Sequence, residues 1–444
     1  MSGTILHNAT LLPCTPGMEV LAAGWVQTEG TRIVATGQGT PPQVPGAERI
    51  DVGGDVVMPG MVNTHSHLAM TLFRGLGEDV DDRLVRYILP LERRFVTPEM
   101  VAAGTRLAAL ESIEGGVTTV ADMYYHEHEV GRVLAAAGLR AVVGQTIADF
   151  APPDHASIDE GFALVDRLVA EFAGHPRVTP SIAPHAPYST GPAVLARVAA
   201  WAEAHPGLPV QMHLAEMDSE MDWAAREHGC RPVELVARAG LLRPGLIAAH
   251  CLHVNEAEMA QMAAVGVGVA HNARSNGKAG RGIAPVEAMR RAGLAVGLAT
   301  DGAMSGNTLD LFAQFAPVSM FQKLLGHSRA RMPAVEVIRM ATIEGARVLG
   351  LAGKIGSLEP GKDADLIRVS LRAARQQPVY DVYSTLVFAS TADDVRDVMV
   401  AGRWLMRDRE VQSVERTKAL RDALQIAATF KAEMQLIDME KEKP

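Results

Sequence analysis

The chain has 444 residues, of which 48% are hydrophobic and 21% charged, with a formal net charge of −9 and an isoelectric point near 5.9. This length exceeds what one compact core organises, and no stretch approaches the roughly 20 apolar residues that cross a bilayer. The acidic balance, without a cluster of lysine and arginine, argues against a nucleic-acid partner and favours a neutral small-molecule substrate.

The N-terminal region, residues 1–58, predicts short strands separated by turns, in TILHNATLLPC and GWVQTEGTRIVATG. It lacks the basic region and the uninterrupted apolar core of a signal peptide. The three cysteines of the chain, Cys14, Cys230 and Cys251, are widely spaced and form no CxxC pair, which favours free thiols. We therefore expect a cytoplasmic protein with no membrane partner.

The central region, residues 59–354, alternates short apolar strands with amphipathic helical stretches. The predicted strands span residues 57–64, 116–123, 139–146, 177–184, 208–215, 246–250, 265–271 and 294–301. Eight strands, each followed by a helical stretch, predict an α/β fold, a closed (β/α)8 TIM barrel. A doubly wound open sheet is the alternative, and the absence of a GxGxxG loop after the first strand weakens it.

The sequence pattern after residue 354 resembles that of the N-terminal region. Residues 355–410 contain GSLEPGKDADLIRVS and DVRDVMVAGRWLMRD, which predict short strands. We therefore expect a small composite β-sandwich domain built from residues 1–58 and 355–410. Residues 411–444 are charged, with apolar residues at helical spacing, and predict a terminal amphipathic helix on the surface.

Two histidines end the first barrel strand in the stretch VVMPGMVNTHSHLAM. Residues i and i+2 of a strand point to the same side, so His65 and His67 face one way. An HxH pair is weak support for a metal site by itself, because a hydrogen-bonded buried pair explains it equally well.

Polar residues at three further strand ends favour the metal site. QMHLAE contains His213 and Glu216, LIAAHCLH contains His250, and LAVGLATDG contains Asp301. Each one alone has an ordinary structural explanation, as a helix cap or as a satisfied buried histidine. The C-terminal strand ends of a barrel converge on one point, however, and three imidazoles with one carboxylate suit Zn²⁺ with a position left for water.

These motifs resemble a known family. PGMVNTHSH, MHLAE, AAHCLH, HNARSNGKAGRGIAP and ATDGAMSGN follow, in order, the pattern of the amidohydrolase superfamily. Within it they are similar to the branch of S-adenosylhomocysteine, 5′-methylthioadenosine and adenosine deaminases. The resemblance runs essentially from end to end and extends to GSLEPGKDADLI and VMVAGRWLM near the C-terminus.

The resemblance implies a role for each of these residues. One divalent metal, zinc, would be held by His65, His67, His213 and Asp301. Glu216 would be the proton-shuttling acid, and His250 would orient and polarise the attacking water. Asp301 would also accept the proton of that water. Dinuclear relatives carry a carboxylated lysine at the end of the fourth strand, where this chain has SIAPHAPYS, so one metal is expected.

The resemblance also implies substrate contacts. Glu92 of LPLERR would accept hydrogen bonds from ribose hydroxyls, and His185 of PHAPYS would touch the substrate; a solvated helix charge and a structural histidine are the alternatives. Ser305 and Asn307 would reach the base or shape its loop. Gln145 stands where relatives place an arginine that grips a substrate carboxylate, which favours an uncharged nucleoside.

A second departure lies in SNGKAGRG, where two bulky side chains of relatives are replaced by Gly277 and Ala279. We expect a roomier and more flexible loop, and we expect Arg281 to face solvent rather than bind an anion.

The sequence therefore predicts zinc-dependent deamination of a 6-aminopurine nucleoside. An amidohydrolase acting on guanine, a pterin or a triazine is the alternative, and a non-catalytic scaffold of the same fold is a weaker one. The sequence does not decide whether the chain forms a homo-oligomer.

Overall fold

The computed structural model describes residues 3–441, so residues 1–2 and 442–444, the outer ends of the predicted terminal segments, lie outside the described residues. Within this range the strands form two sheets. One sheet is an eight-stranded parallel barrel, and the other has nine strands contributed by both ends of the chain. The predicted fold class, a TIM barrel with a composite β-domain, is confirmed.

The strands of the nine-stranded sheet are β1 (Thr4–Leu11), β2 (Leu21–Glu29), β3 (Arg32–Gln38), β4 (Glu48–Asp51), β5 (Val56–Pro59), β14 (Leu366–Val369), β15 (Val395–Val400), β16 (Arg403–Arg407) and β17 (Glu410–Val411). They follow the order β17-β16-β15-β14-β5-β1-β2-β3, with β4 paired to β1. The antiparallel pair β5 and β14 joins the two ends of the chain, and the sheet encloses its own small hydrophobic core.

The barrel strands run in chain order around the barrel. They are β6 (Met61–Ser66), β7 (Val117–Tyr124), β8 (Arg140–Ile147), β9 (Val178–Pro184), β10 (Val210–Leu214), β11 (Leu246–His250), β12 (Gly268–His271) and β13 (Ala295–Leu298). The ring closes between β13 and β6, where Oγ1 of Thr64 donates to the Leu298 carbonyl at 2.9 Å and Nδ2 of Asn63 donates to Oγ1 of Thr300 at 2.8 Å. Closure brings the first and last strand ends together.

Helices surround the barrel and extend from it. They are α1 (Leu89–Phe95), α2 (Pro98–Glu114), α3 (Glu127–Ala137), α4 (Ile158–Glu171), α5 (Pro187–Ala204), α6 (Asp218–His228), α7 (Pro232–Arg238), α8 (Glu256–Val265), α9 (Ala273–Lys278), α10 (Val286–Arg291), α11 (Ala303–Gly306), α12 (Phe312–Leu325), α13 (Ala334–Ala341), α14 (Ile343–Val348), α15 (Val382–Phe388) and α16 (Arg416–Lys441). None of the helices within residues 3–441 is long and apolar enough to cross a bilayer.

Side chains define where several helices begin. Thr97 accepts from the backbone N–H of Met100 at the start of α2, and Pro98 follows it at the first helical position. Asn255 and Glu258 form a reciprocal capping box at the start of α8. These local signals fix where the two helices begin.

The first predicted strand, residues 57–64, is two strands in the structure. β5 belongs to the nine-stranded sheet and β6 to the barrel, and the chain changes sheet at Gly60. A Cβ atom at Gly60 would lie 2.1 Å from Oγ1 of Thr118, so only glycine fits this crossing. The run is apolar and buried throughout, which is why its pattern does not reveal the change of sheet.

Candidate active site

A cavity of about 370 Å³ opens at the C-terminal ends of the barrel strands. Residues from the ends of β7, β8, β10 and β11 line it, together with the loops that follow β6, β9 and β13. The sequence-predicted residues that line it are His67, Glu92, His185, His213, Glu216, His250, Asp301 and Ser305. His65 lies directly beneath, almost fully buried. This is the end of a TIM barrel where catalytic residues gather.

The predicted metal ligands converge beside this cavity. Nε2 of His67 lies 3.3 Å from Oδ1 of Asp301 and 3.3 Å from Nε2 of His213. Nε2 of His65 lies 3.8 Å from the same Asp301 oxygen. Ligand atoms of His65, His67 and His213 all lie within 4.8 Å of one another, as do those of His65, His250 and Asp301. The grouping can hold a metal ion.

The tautomers of these histidines favour that use. Nδ1 of His67 donates to the Met123 carbonyl at 2.6 Å, and Nδ1 of His213 donates to the His185 carbonyl at 2.8 Å. Each bond places the proton on Nδ1 and leaves the Nε2 lone pair directed at the common centre. Nε2 of His65 is buried without a hydrogen-bond partner among the described residues.

The electrostatics of the group favour a positive charge. Burial and the neighbouring imidazoles lower the pKa of His65 well below its ordinary value, and burial lowers that of His213 to about 4. Burial opposes a charged His67 as well, yet the hydrogen bond to Asp301 raises the pKa of His67 to about 9. Asp301 thus draws a positive charge to the site, carried here by the proton on His67, and a metal ion that binds Nε2 of His67 would displace that proton.

The strand ends of the site adopt an uncommon backbone conformation. Ala215, His250 and Asp301 have φ angles of 50°, 72° and 61°. Non-glycine residues rarely occupy this left-handed region, and such residues cluster at functional sites. Here the turns aim the side chains of His250 and Asp301 across the barrel mouth.

Glu216 faces two cationic or polarisable groups in the cavity. Oε1 of Glu216 lies 3.5 Å from Nε2 of His250, and Nη1 of Arg281 donates to the same oxygen. Nδ1 of His250 donates to Oδ1 of Asn276 at 2.8 Å, which leaves Nε2 facing Glu216. The expectation that Arg281 faces solvent is wrong, because its loop turns back over the cavity.

Glu220 holds the turn that carries Glu216. Its carboxylate accepts from the backbone N–H groups of Ala215, at 3.0 Å, and Glu216, at 2.8 Å. Burial raises the pKa of Glu220 to about 7.

The predicted substrate residues Glu92, His185 and Ser305 lie in the same cavity. Oε1 of Glu92 accepts from the Tyr124 hydroxyl at 2.6 Å, and burial raises the pKa of Glu92 to about 7. Nδ1 of His185 lies 2.7 Å from the Ser189 hydroxyl. Glu92 and His185 are thus held in place with atoms left to meet a ligand.

Two other predicted substrate residues do not reach the cavity. On β8 the side chain of Thr146 lines the cavity, so its neighbour Gln145 points the other way, where Nε2 donates to Oδ2 of Asp154 at 2.9 Å. Oδ1 of Asn307 accepts from Nζ of Lys278 at 2.9 Å, outside the lining. Both residues organise loops, and the strand alternation at Gln145 is the signal that identifies its direction.

Sequence reasoning missed the supporting residues. The Tyr124 hydroxyl donates to Glu92, and Asn276 accepts from His250. The Ser275 hydroxyl lies 2.6 Å from Oδ2 of Asp301. Ser275 and Asn276 lie in the motif HNARSNG after β12, so their position was the available signal. The expected loop at Gly277 is instead the short helix α9, and the Phe321 ring occupies the space that a Cβ at Gly277 would need.

Comparison with known proteins places this geometry in a family. Residues 56–405 match the profile of the Amidohydrolase family. The chain belongs to the amidohydrolase family. Membership agrees with the barrel and with the grouping of imidazoles and carboxylate at the strand ends. The family and its deaminase relatives make this protein a hydrolase that acts on C–N bonds.

Relatives within the family match over most of the chain. A 5-methylthioadenosine/S-adenosylhomocysteine deaminase of Syntrophobacter fumaroxidans is 40% identical over 86% of this chain and 87% of that protein. A deaminase of the same name from Syntrophomonas wolfei is 35% identical over 95% of this chain and 98% of that protein. The crystal structure of an adenosine deaminase from Xanthomonas campestris with bound zinc is 33% identical and superposes with a TM-score of 0.93, covering 97% of this chain and 99% of that one.

Proposed function

We propose that this protein catalyses zinc-dependent hydrolytic deamination of a 6-aminopurine nucleoside, giving the inosine-type product and ammonia. One observation carries the proposal: a metal-ligating group, a buried carboxylate at Glu216 and a second carboxylate at Glu92 meet in a single cavity. The names of the relatives, deaminases of methylthioadenosine, S-adenosylhomocysteine and adenosine, support the substrate class.

In this proposal one zinc ion is held by His65, His67, His213 and Asp301. The residues fit a divalent cation because Nε2 of His65 is buried without a partner and because the Nε2 atoms of His67 and His213 face each other at 3.3 Å. When bound, zinc lowers the pKa of water toward neutrality.

The protein residues move the protons. Asp301 accepts the proton of the attacking water while Ser275 holds its second oxygen. Glu216, once it has taken up a proton, donates it to the ring nitrogen beside the carbon that bears the amine, which makes that carbon electrophilic. His250, held by Asn276, polarises and orients the water through Nε2.

Addition of water to the ring carbon gives a tetrahedral centre that carries a hydroxyl and the amine. Transfer of a proton to the amine lets it leave as ammonia, and loss of the hydroxyl proton produces the ring carbonyl. Asp301 and Glu216 are the two carboxylates of the cavity that can relay these protons, since the other acid, Glu92, is bonded to Tyr124.

The substrate is a small molecule, and its sugar lies on the side of the cavity formed by Glu92. Glu92 accepts hydrogen bonds from ribose hydroxyls, and His185 and Ser305 contact the ligand. We also propose a cytoplasmic location, supported by Cys14, Cys230 and Cys251, which are free and buried.

The test is ammonia release by the zinc-loaded protein from adenosine, 5′-methylthioadenosine, S-adenosylhomocysteine, guanine and a pterin. We expect turnover of at least one of the three nucleosides, and we expect kcat/KM for it to exceed the values for guanine and the pterin. Turnover of guanine or a pterin alone would assign the cavity to another amino-heterocycle. Failure of all five compounds would overturn the proposal.

A further inference from the structure

One side of the cavity is formed by residues 84–95, which we call the cavity wall. It consists of a π-helical turn, Leu84–Ile88, followed by α1. The wall residues that line the cavity are Leu84, Ile88, Leu89, Glu92 and Arg93. Because the wall carries Glu92, its position sets the geometry of the substrate-binding half of the cavity.

The outer side of the cavity wall is less well supported than its inner side, where Ile88 and Leu91 are fully buried. The chain that enters it turns through Gly75, Gly77 and Asp79, all with positive φ angles. The π-helical turn is short, and the side chains of Leu84 and Val85 are 50% and 69% exposed. Segments with few buried contacts open locally at low free energy. The outer side of the wall therefore depends on contacts with neighbouring elements.

The C-terminal helix α16 supplies such contacts from behind. Oδ1 of Asp438 accepts from Nη2 of Arg86 and from the Tyr87 hydroxyl, each at 2.6 Å. Oε1 of Glu433 accepts from Nη1 of Arg94. Two carboxylates of α16 thus bond three side chains of the wall, two at its start and one near its end.

An aromatic contact fixes the rotation of α16 against the barrel. Phe430 is fully buried, with its ring stacked on Phe73 at 4.8 Å and 5.5 Å from that of Phe95. At about 100° per residue, Glu433 and Asp438 flank Phe430 on its two sides within one broad face of the helix. Packing of Phe430 therefore directs Glu433 and Asp438 toward the cavity wall.

We propose that α16 positions the cavity wall for substrate through Asp438 and Glu433. This inference rests on the proposed function, in that Glu92 contacts the substrate. Asp438 and Glu433 touch no reacting group; they are positioning residues that act through Arg86, Tyr87 and Arg94. When these bonds are lost, the wall moves and substrate affinity falls. The rate of the bound complex is kept, because Glu216 and Asp301 lie on other elements.

The test compares Asp438→Ala and Glu433→Ala with the control Asp422→Ala on the same helix. Asp422 pairs with Arg106 of α2 at 3.2 Å and with Lys418, away from the wall. All three variants introduce alanine, which keeps the helix propensity high. We expect KM to rise about fivefold for Asp438→Ala and somewhat less for Glu433→Ala, with kcat within about twofold of the wild type.

Amide hydrogen exchange of the zinc-loaded protein is the second measurement and needs no substrate. We expect exchange of residues 84–95 to become about tenfold faster in Asp438→Ala than in Asp422→Ala. An exchange rate of residues 84–95, or a KM, that is the same in Asp438→Ala as in Asp422→Ala would overturn the inference. If the wild type deaminates no nucleoside, the proposed function fails, and the exchange rates alone decide whether α16 positions the wall.

Discussion

Arg281 donates through Nη1 to Oε1 of Glu216, the carboxylate assigned to proton transfer. Burial raises the pKa of a carboxyl group, yet the charges of His250, His213 and Arg281 together hold the pKa of Glu216 below its ordinary value. Arg281 thus acts at the reacting end of the cavity, on a residue that any substrate of the site must meet.

Replacing Arg281 by alanine should affect all nucleosides alike. Without the guanidinium, Glu216 loses the partner that orients its Oε1, so we expect kcat to fall about tenfold for adenosine and for S-adenosylhomocysteine. Steady-state kinetics on both substrates measure this. A rise in KM confined to the carboxylate-bearing substrate would instead identify Arg281 as an anion-binding residue.

The Glu216→Gln variant should retain the metal but lose activity. Glutamine keeps the shape of the side chain but cannot transfer a proton, so we expect kcat to fall by at least about 100-fold. Metal content by mass spectrometry should equal that of the wild type, since Glu216 is not in the proposed ligand set. Full ammonia release by this variant would contradict the proton-transfer role.

Removal of the metal should abolish activity and lower stability. We expect a chelator to stop ammonia release, and one equivalent of zinc per chain to restore it. Because the metal binds only the folded chain, its loss should lower the thermal midpoint. His213→Ala should bind less than one equivalent, whereas His271→Ala, another buried histidine near the barrel end, should bind normally. Two equivalents bound to the wild type would contradict a mononuclear site.

Glu92 should make nucleoside binding depend on pH. Burial raises the pKa of Glu92 to about 7, so the carboxylate that we propose accepts hydrogen bonds from ribose hydroxyls is ionised above this pH and protonated below it. We expect KM for the nucleoside to fall about threefold between pH 6 and pH 8, because charged acceptors bind hydroxyls more strongly. Glu92→Gln should show a higher KM without this trend. A wild-type KM that rises with pH would contradict the assignment.

Arg140 should stabilise the contact between barrel and β-domain. Its buried guanidinium donates through Nη2 to Oδ2 of Asp363 at 2.7 Å and through Nε to Oδ2 of Asp365 at 3.1 Å. Arg140→Ala leaves the buried Asp365 without its cation and Asp363 with only the half-exposed Arg32, so we expect a loss of about 3 kcal/mol in the free energy of unfolding. Arg32, half exposed beside Asp363, is the matched control.

Thermal unfolding compares the two arginine variants. Arg32→Ala should change the free energy of unfolding by less than about 1 kcal/mol, because exposed ion pairs contribute little. Equal midpoints for the two variants would show that the buried pair adds no more than the exposed one.

The barrel and its metal-ligating group were predictable because their signals are local. Each strand is a short apolar run, and His65, His67, His213 and Asp301 stand at or just beyond the ends of such runs. In a closed parallel barrel those ends meet whatever the details of packing. The first predicted strand was wrong in joining β5 and β6, since a uniformly buried run does not show that the chain changes sheet at Gly60.

Relationships between distant segments were decided by the tertiary structure alone. Gln145 faces Asp154 because side chains alternate along β8 and Thr146 is the one that points into the cavity. Arg281 reaches Glu216 because its loop folds back over the barrel mouth. Asp438 meets the cavity wall only after Phe430 has packed against the barrel. The sequence by itself determined which chemical groups stand at the strand ends. Which side chains reach the substrate space was decided by packing between elements far apart in the chain, and no local pattern encodes that packing.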